Sequence, residues 1–223
     1  MKSVPEGRIT ALQPQARGDR VHVHLDGRYA FSLAENVAAA LRVGQRLSAS
    51  QVQALLQEDA RWRAWRYAQR LLAVRPRSQA EMRTRLLRRG YASSVVETTL
   101  ARLRDLGWLD DAAFAREWVE NRIAFRPRGR ARLRAELRQK GVAPEAIEDA
   151  LQQVDDAALA WKAARLALPR YRGLPWPVFA RRLSGYLARR GFSPGLVREV
   201  VHRVWRERHD PSGGEELEQG AEQ

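Results

Sequence analysis

Cysteine is absent from all 223 positions of this chain, which excludes disulfide staples, thiolate metal sites and cysteine nucleophiles. Long apolar runs are absent too. The longest uninterrupted aliphatic stretch is "VAAAL" at 37–41, far below the ~20 residues that cross a bilayer, and the opening "MKSVPEGR" has no apolar segment behind its charges to serve as an export signal. No GKS/T phosphate loop, GxGxxG turn or GxSxG elbow occurs, so nucleotide hydrolysis, dinucleotide binding and serine-hydrolase chemistry have no sequence signature here. These absences predict a soluble, cytoplasmic, non-enzymatic protein without cofactor or metal. Its 44% hydrophobic content is enough to bury a core.

What is plentiful is positive charge. The formal net charge is +14, and 37 of the 40 basic residues are arginine. The distribution is uneven. Residues 1–60 carry 7 basic and 6 acidic side chains, 61–206 carry 32 and 14, and 207–223 carry 1 and 6. A field of this kind attracts nucleic acid or an acidic protein surface without specifying sequence. An arginine- and alanine-rich compositional bias is the competing explanation of the excess.

The first sixty residues have a β texture. "RITALQ" (8–13), "RVHVHL" (20–25) and "RYAFSL" (28–33) alternate with period two, and Asp26-Gly27 joins the last two as a hairpin turn. A short helix over about 34–42 is expected to stop near Gly44. Ser48 and Gln51 then form a capping box for a longer helix, whose apolar stripe runs from Val52, Leu55 and Leu56 through Trp62, Trp65 and Tyr67 to Leu71 and Leu72.

Beyond residue 61 the signals are helical and recur. In "RSQAEMRTRLLRRGY" (77–91), Ser78 is the N-cap with Glu81 reaching back to it, and Gly90 supplies the left-handed C-terminal residue. The ending returns as "LRQKGV" (137–142) and "LARRGF" (187–192), with Gly90, Gly141 and Gly191 spaced 51 and 50 residues apart. Eight before each glycine stands Met82, Leu133 or Leu183, and four before stands Leu86, Leu137 or Leu187. Six, ten and thirteen after come Val96, Ile147 or Val197; Leu100, Leu151 or Val201; and Leu103, Val154 or Val204. Such a period predicts stacked helical units sharing one continuous core. "LDDAAFA" (109–115) and "VDDAALA" (154–160) open the first helices of the second and third units, Ala143-Pro144 and Ser193-Pro194 open later ones, and "RGLPWP" (172–177) breaks a helix.

Few residues offer chemistry. Asp110-Asp111 and Asp155-Asp156 are paired carboxylates, but each precedes an alanine-rich helix and reads as a cap. His22 and His24 share a strand face without cysteine or an acidic cluster nearby, so a metal site is not expected. Most tryptophans read as core, with Trp176, set between two prolines, as the exception. The run "RPRGRARLR" (126–134) is the strongest partner-binding segment, because Arg126, Arg128, Arg130, Arg132 and Arg134 repel one another unless an anion is near. Arg88, Arg89, Lys140, Arg189 and Arg190, beside the three glycines, are further contact candidates, although cations in a last helical turn also complement the helix dipole. Charge excludes a DNA-reading helix-turn-helix in the second unit: "PEAIEDALQQVDD" carries five acidic and no basic residues and does not suit a groove lined by phosphates.

Taken together, "YAQRLLAVRPRSQAEMRTRLLRRGY", "LRDLGWLDDAAFAREWVENR", "LRAELRQKGVAPEAIEDAL" and "LARRGFSPGLVREVV" make residues 61–206 resemble the RecX family of bacterial recombination regulators. The resemblance implies a mainly α protein of three tandem three-helix repeats in an elongated curved body, with a small N-terminal β appendage. The expected boundaries are 1–47 for the appendage, 48–111, 112–156 and 157–207 for the repeats, and 208–223 for a disordered acidic tail. It further implies a monomer that binds the RecA recombinase filament on single-stranded DNA and modulates, chiefly inhibits, its recombinase, ATPase and coprotease activities in DNA repair and the SOS response. A cationic protein that holds DNA or RNA without RecA is the alternative. No membrane partner is expected.

Overall fold

The computed structural model describes residues 4–16 and 18–209. Residues 210–223, which make up most of the expected acidic tail, lie outside the described residues. The chain divides into two compact units, Met1–Leu109 and Asp110–Gln223.

In the first unit, the period-two segments form strands β1 (Gly7–Pro14), β2 (Arg20–Leu25) and β3 (Arg28–Ala34). Val21, Val23 and Leu25 of β2 and Phe31 and Leu33 of β3 all face inward and are buried. Asp26 (φ 48°) and Gly27 (φ 79°) supply the two left-handed residues that a two-residue hairpin of matching twist needs. The Asp26 carboxylate also accepts a hydrogen bond from the Arg8 amide at 3.0 Å, tying the turn to β1.

Two features of this region differ from expectation. The helix expected over 34–42 contracts to α1 (Glu35–Ala38), and a fourth strand, β4 (Arg46–Leu47), pairs antiparallel with β1 to give the order β3-β2-β1-β4. One cause accounts for both: the chain must turn at once to return to the sheet edge. Gly44 (φ 92°) donates to the Ile9 carbonyl and Gln45 accepts from the Ile9 amide, both at 2.8 Å.

Ser48 and Gln51 cap α2 (Ala49–Val74) reciprocally, as the sequence predicts. The apolar stripe of this helix is not a single face. Val52, Leu55, Leu56 and Trp62 pack on the sheet's core, whereas Ala64, Trp65, Tyr67, Ala68, Leu71 and Leu72 join the core of the first repeat. A helix serving two cores must turn apolar residues two ways, so the alanines go deepest and the aromatics flank them. Helices α3 (Gln79–Arg88) and α4 (Ser93–Asp105) complete this repeat.

The second unit contains α5 (Asp111–Phe125), α6 (Arg130–Gln139), α7 (Pro144–Leu151), α8 (Asp156–Ala167), a 3-10 turn (Leu168–Tyr171), α9 (Trp176–Arg189) and α10 (Pro194–His209). All fifteen residues aligned by the repeat are buried, none more than 5% exposed. Burying each side chain contributes about 1.5–3 kcal/mol before entropy is counted. The continuous core expected through all three repeats is found in the second and third, whose buried side chains form one cluster from Phe114 to Val204. The first repeat has its own.

The three glycines end their helices the same way. Gly90, Gly141 and Gly191 have φ values of 90°, 72° and 85°. In each turn the glycine amide donates three residues back, and the next amide donates to a leucine carbonyl five back: Tyr91 to Leu86, Val142 to Leu137 and Phe192 to Leu187. This is the Schellman arrangement, and the two residues it joins belong to the same apolar core in each turn.

Six of the seven tryptophans pack against a core, as expected of most, but each does so half-buried, and Trp108 is exposed. Indoles are large and carry an N–H, so they cover the rims of cores whose centres are Leu, Val and Ala. Trp176 is no exception among them. It lies against the core of the second unit, with ring centroids 4.7 Å from His202 and 5.2 Å from Trp205.

Gly191 has a second constraint besides its φ. A Cβ placed there would stand 2.6 Å from the Arg132 Cβ and 2.7 Å from the Arg132 amide nitrogen, whereas one on Gly90 would meet nothing within 4 Å. Gly90→Ala should therefore cost about 1 kcal/mol, the left-handed penalty alone. Gly191→Ala should cost roughly 2–4 kcal/mol, because overpacking is added. Urea unfolding of the two variants measures the difference, and equal losses would contradict the close packing at Gly191.

Candidate interaction surface

The paired aspartates act as helix caps. One Asp110 carboxylate oxygen accepts from the amides of Ala112 (2.8 Å) and Ala113 (3.0 Å), and Asp155 does the same for Ala157 and Ala158 at 2.8 and 3.1 Å. His22 lies within hydrogen-bond distance of Gln15 (3.0 Å) and Ser32 (3.1 Å), and the edge-on Tyr29 ring meets both His22 and His24. Among the described residues no cluster of three His, Cys, Asp or Glu side chains is placed to hold a metal.

The arginine-rich segment sorts into two groups. Arg130 and Arg134 turn towards α7. The Arg130 guanidinium donates to the carbonyls of Val154 (2.8 Å) and Gln152 (2.9 Å), and its amide donates to Asp156 (2.8 Å). Arg134 makes a two-pronged contact with Glu148 at 2.6 and 2.7 Å. Those bonds hold the Glu148 carboxyl below its ordinary value and raise Arg134.

Arg128 and Arg132 converge instead on Glu136, which is only 7% exposed. Its carboxylate also accepts from the Trp118 indole N–H (3.1 Å) and from Arg122 (3.4 Å). Three guanidinium groups thus share one buried carboxylate. Burial, followed by the neighbouring Arg122, Arg132, Arg190 and Arg126, pushes Arg128 below the usual arginine range. Arginine nonetheless keeps its proton throughout the physiological range, so the knot keeps surplus positive charge. Above it, Trp118 is covered by the Arg122 guanidinium at 4.1 Å and the Lys140 ammonium at 5.1 Å. The internal anions therefore quiet only part of the repulsion read from the sequence.

Arg190 joins this group through the backbone. Its carbonyl accepts from the Gly129 amide at 2.9 Å, its guanidinium lies 4.2 Å from the Tyr186 ring centroid, and its Nε is buried without a hydrogen-bond partner. Arg126 and Arg189 are exposed and make no ion pair among the described residues. Arg88 and Arg89 are also exposed, but belong to the first unit. Sequence reading missed Arg122, although its place one turn after Trp118 was a usable signal. It also missed Arg20, Arg63, Arg66 and Arg70 of the first unit.

Removing the carboxylate at the centre of the knot leaves several donors facing one another. Glu136→Ala should lower stability by roughly 2–3 kcal/mol, less than the ~3–5 typical when a fully buried pair is broken, because the arginines can turn to solvent. Glu136→Gln should lose less. Chemical denaturation checks both, and a loss below about 0.5 kcal/mol for the alanine variant would mean the arginines need no anchor.

Comparison with known proteins matches this architecture domain by domain. Residues 64–103, 110–151 and 154–201 match the family models described as the first, second and third three-helix domains of RecX. A Regulatory protein RecX from Mycobacterium sp. (strain KMS) is 41% identical over 143 residues, covering 60% of this chain and 78% of that protein. One from Thermobifida fusca (strain YX) is 41% identical over 147 residues, covering 65% and 80%. One from Lactobacillus delbrueckii subsp. bulgaricus is 32% identical over 198 residues, covering 86% and 73%. A crystal structure of regulatory protein RecX superposes with a TM-score of 0.65 at 30% identity, covering 86% of this chain and 98% of that one. The crystal structure of RecX from Lactobacillus salivarius, at 19% identity and a TM-score of 0.57, shares the fold. With each three-helix repeat matched in order and relatives spanned over most of their length, the chain belongs to the RecX family of regulatory proteins.

Proposed function

We propose that this chain regulates the RecA recombinase by binding its filament on single-stranded DNA, acting stoichiometrically in the cytoplasm and limiting the filament's ATPase, strand-exchange and coprotease activities. The observation that carries the reading is the ordered match of all three RecX domains. No described helix is long and apolar enough to cross a membrane.

The arginine knot suits such a partner. Glu136 consumes one charge and fixes three guanidinium groups, so the remaining positive charge is held on an ordered framework. A preorganised cationic surface loses less side-chain entropy on meeting an acidic or phosphate-lined partner than a set of free arginines would. Arg126 and Arg189, exposed and without an ion pair among the described residues, are the contact residues of this reading, with Arg128, Arg132 and Arg190 as the neighbouring cations. Asp110 and Asp155 are occupied in capping helices, and the proposed mode of action is binding.

Two measurements test this. The purified chain should lower the single-stranded-DNA-dependent ATPase of its cognate RecA, and unchanged turnover at saturating chain would remove the function. Arg126→Glu combined with Arg189→Glu should weaken that effect at least tenfold with helix content unchanged by circular dichroism. Full retained potency would assign both side chains to a merely solvated face.

A further inference from the structure

The first unit contains a cleft that the regulatory reading does not use. It has a volume of about 730 Å³ and lies among the β1–β2 turn, the middle of α2 and the turn from α3 into α4. Arg20, Arg63, Arg66, Arg70 and Arg89 line it, against Asp19 alone of the acidic residues, and Trp62 and Tyr91 line it as well.

The cations are arranged in two tiers. Arg20 and Arg63 are anchored from below by Asp59, a carboxylate only 1% exposed. Arg63 reaches it at 2.8 Å and Arg20 at 3.2 Å, while the Ala34 amide donates to it at 2.7 Å. Arg66, Arg70 and Arg89 are exposed and make no ion pair among the described residues. Arg63, Arg66 and Arg70 recur at i, i+3 and i+7 and so line one face of α2 for about 10 Å. The half-buried Trp62 has the Arg66 guanidinium 5.4 Å from its ring centroid, and Tyr91 leans on Tyr67 at 6.4 Å. The first turn of α4 forms part of the wall through Ala92 and Val95, and Ala92 brings no side-chain oxygen to occupy the cleft.

We propose that this cleft binds a segment of single-stranded nucleic acid, with Arg66, Arg70 and Arg89 on the phosphates and Trp62 and Tyr91 against the bases. A row of arginines in one cleft with aromatic rings is the combination that holds a single strand: charge follows the backbone, and every base presents a face that stacks. An acidic peptide would use the arginines but leave the rings idle. The site is in the first unit, distinct from the Glu136 knot, and needs no RecA.

The test uses the full chain and a fluorescent twelve-nucleotide oligo(dT) without RecA. Arg66→Ala combined with Arg70→Ala should weaken binding at least tenfold. It should also make the slope of log affinity against log salt shallower by about 1.4, since each single-strand phosphate contact contributes about 0.7. Unchanged affinity and slope would overturn the proposal. So would equal competition by an oligoglutamate of the same length, which would assign the cleft to an acidic protein segment. Photocrosslinking an iodouracil-containing oligonucleotide to the unaltered chain provides a readout independent of folding. Adducts on Trp62 or Tyr91 support the site, and adducts found only elsewhere refute it. Because RecA is absent, these outcomes are separable from any effect on its ATPase.

Discussion

A buried carboxylate shared among several arginines is the interaction on which the surface of this protein depends. It occurs twice. Asp59 holds Arg20 and Arg63 in the first unit, and Glu136 holds Arg122, Arg128 and Arg132 in the second. Ion pairs of this kind are poor sources of net stability, because desolvating the carboxylate offsets much of the attraction. What they supply is position. In a chain with 37 arginines, most guanidinium groups would otherwise sweep through solvent. Each knot fixes a few of them and leaves the surplus charge at its edge.

The helical framework makes this possible through a local rule applied three times. A helix of about three turns ends at a glycine in the left-handed conformation, and the residue after it folds back on the last buried leucine. The direction of the next helix is then set by the turn. In the second unit the rule also brings repeats together. Gly129 donates to the Arg190 carbonyl and leaves no room for a side chain, with its virtual Cβ 2.5 Å from the Gly191 carbonyl oxygen. The loop bearing Arg128 is thereby seated on the turn bearing Arg190, and cations remote in sequence become neighbours.

Much of this was legible from residue order, because it is local. The hairpin at Asp26-Gly27, the Ser48–Gln51 capping box, the aspartate caps and the three glycine turns each depend on residues within a few positions of one another. The fifteen repeat positions were legible because a buried stripe repeats with the helix. Long-range pairings were not. Strand β4 is two residues long and exists only because β1 offers an edge. Asp59 sits beside Glu58 and reads as part of a solvated face until the sheet packs over it. Arg134 meets Glu148 and Arg130 meets Val154 across a helical hairpin, so counting charges in "RPRGRARLR" overstated how many are free. Hydrophobicity places most tryptophans against a core, as found, but their size and N–H groups keep them at its rim.

The proposed function predicts that ordered arginines of this RecX-family chain meet the RecA filament. Hydrogen–deuterium exchange of the full chain with and without RecA filaments on single-stranded DNA tests this most directly. Filament should slow exchange across residues 126–134 and 187–192, where the Glu136 knot and the Gly191 turn lie together. Exchange unchanged throughout the chain, or slowed only along the acidic helix α7, would contradict it.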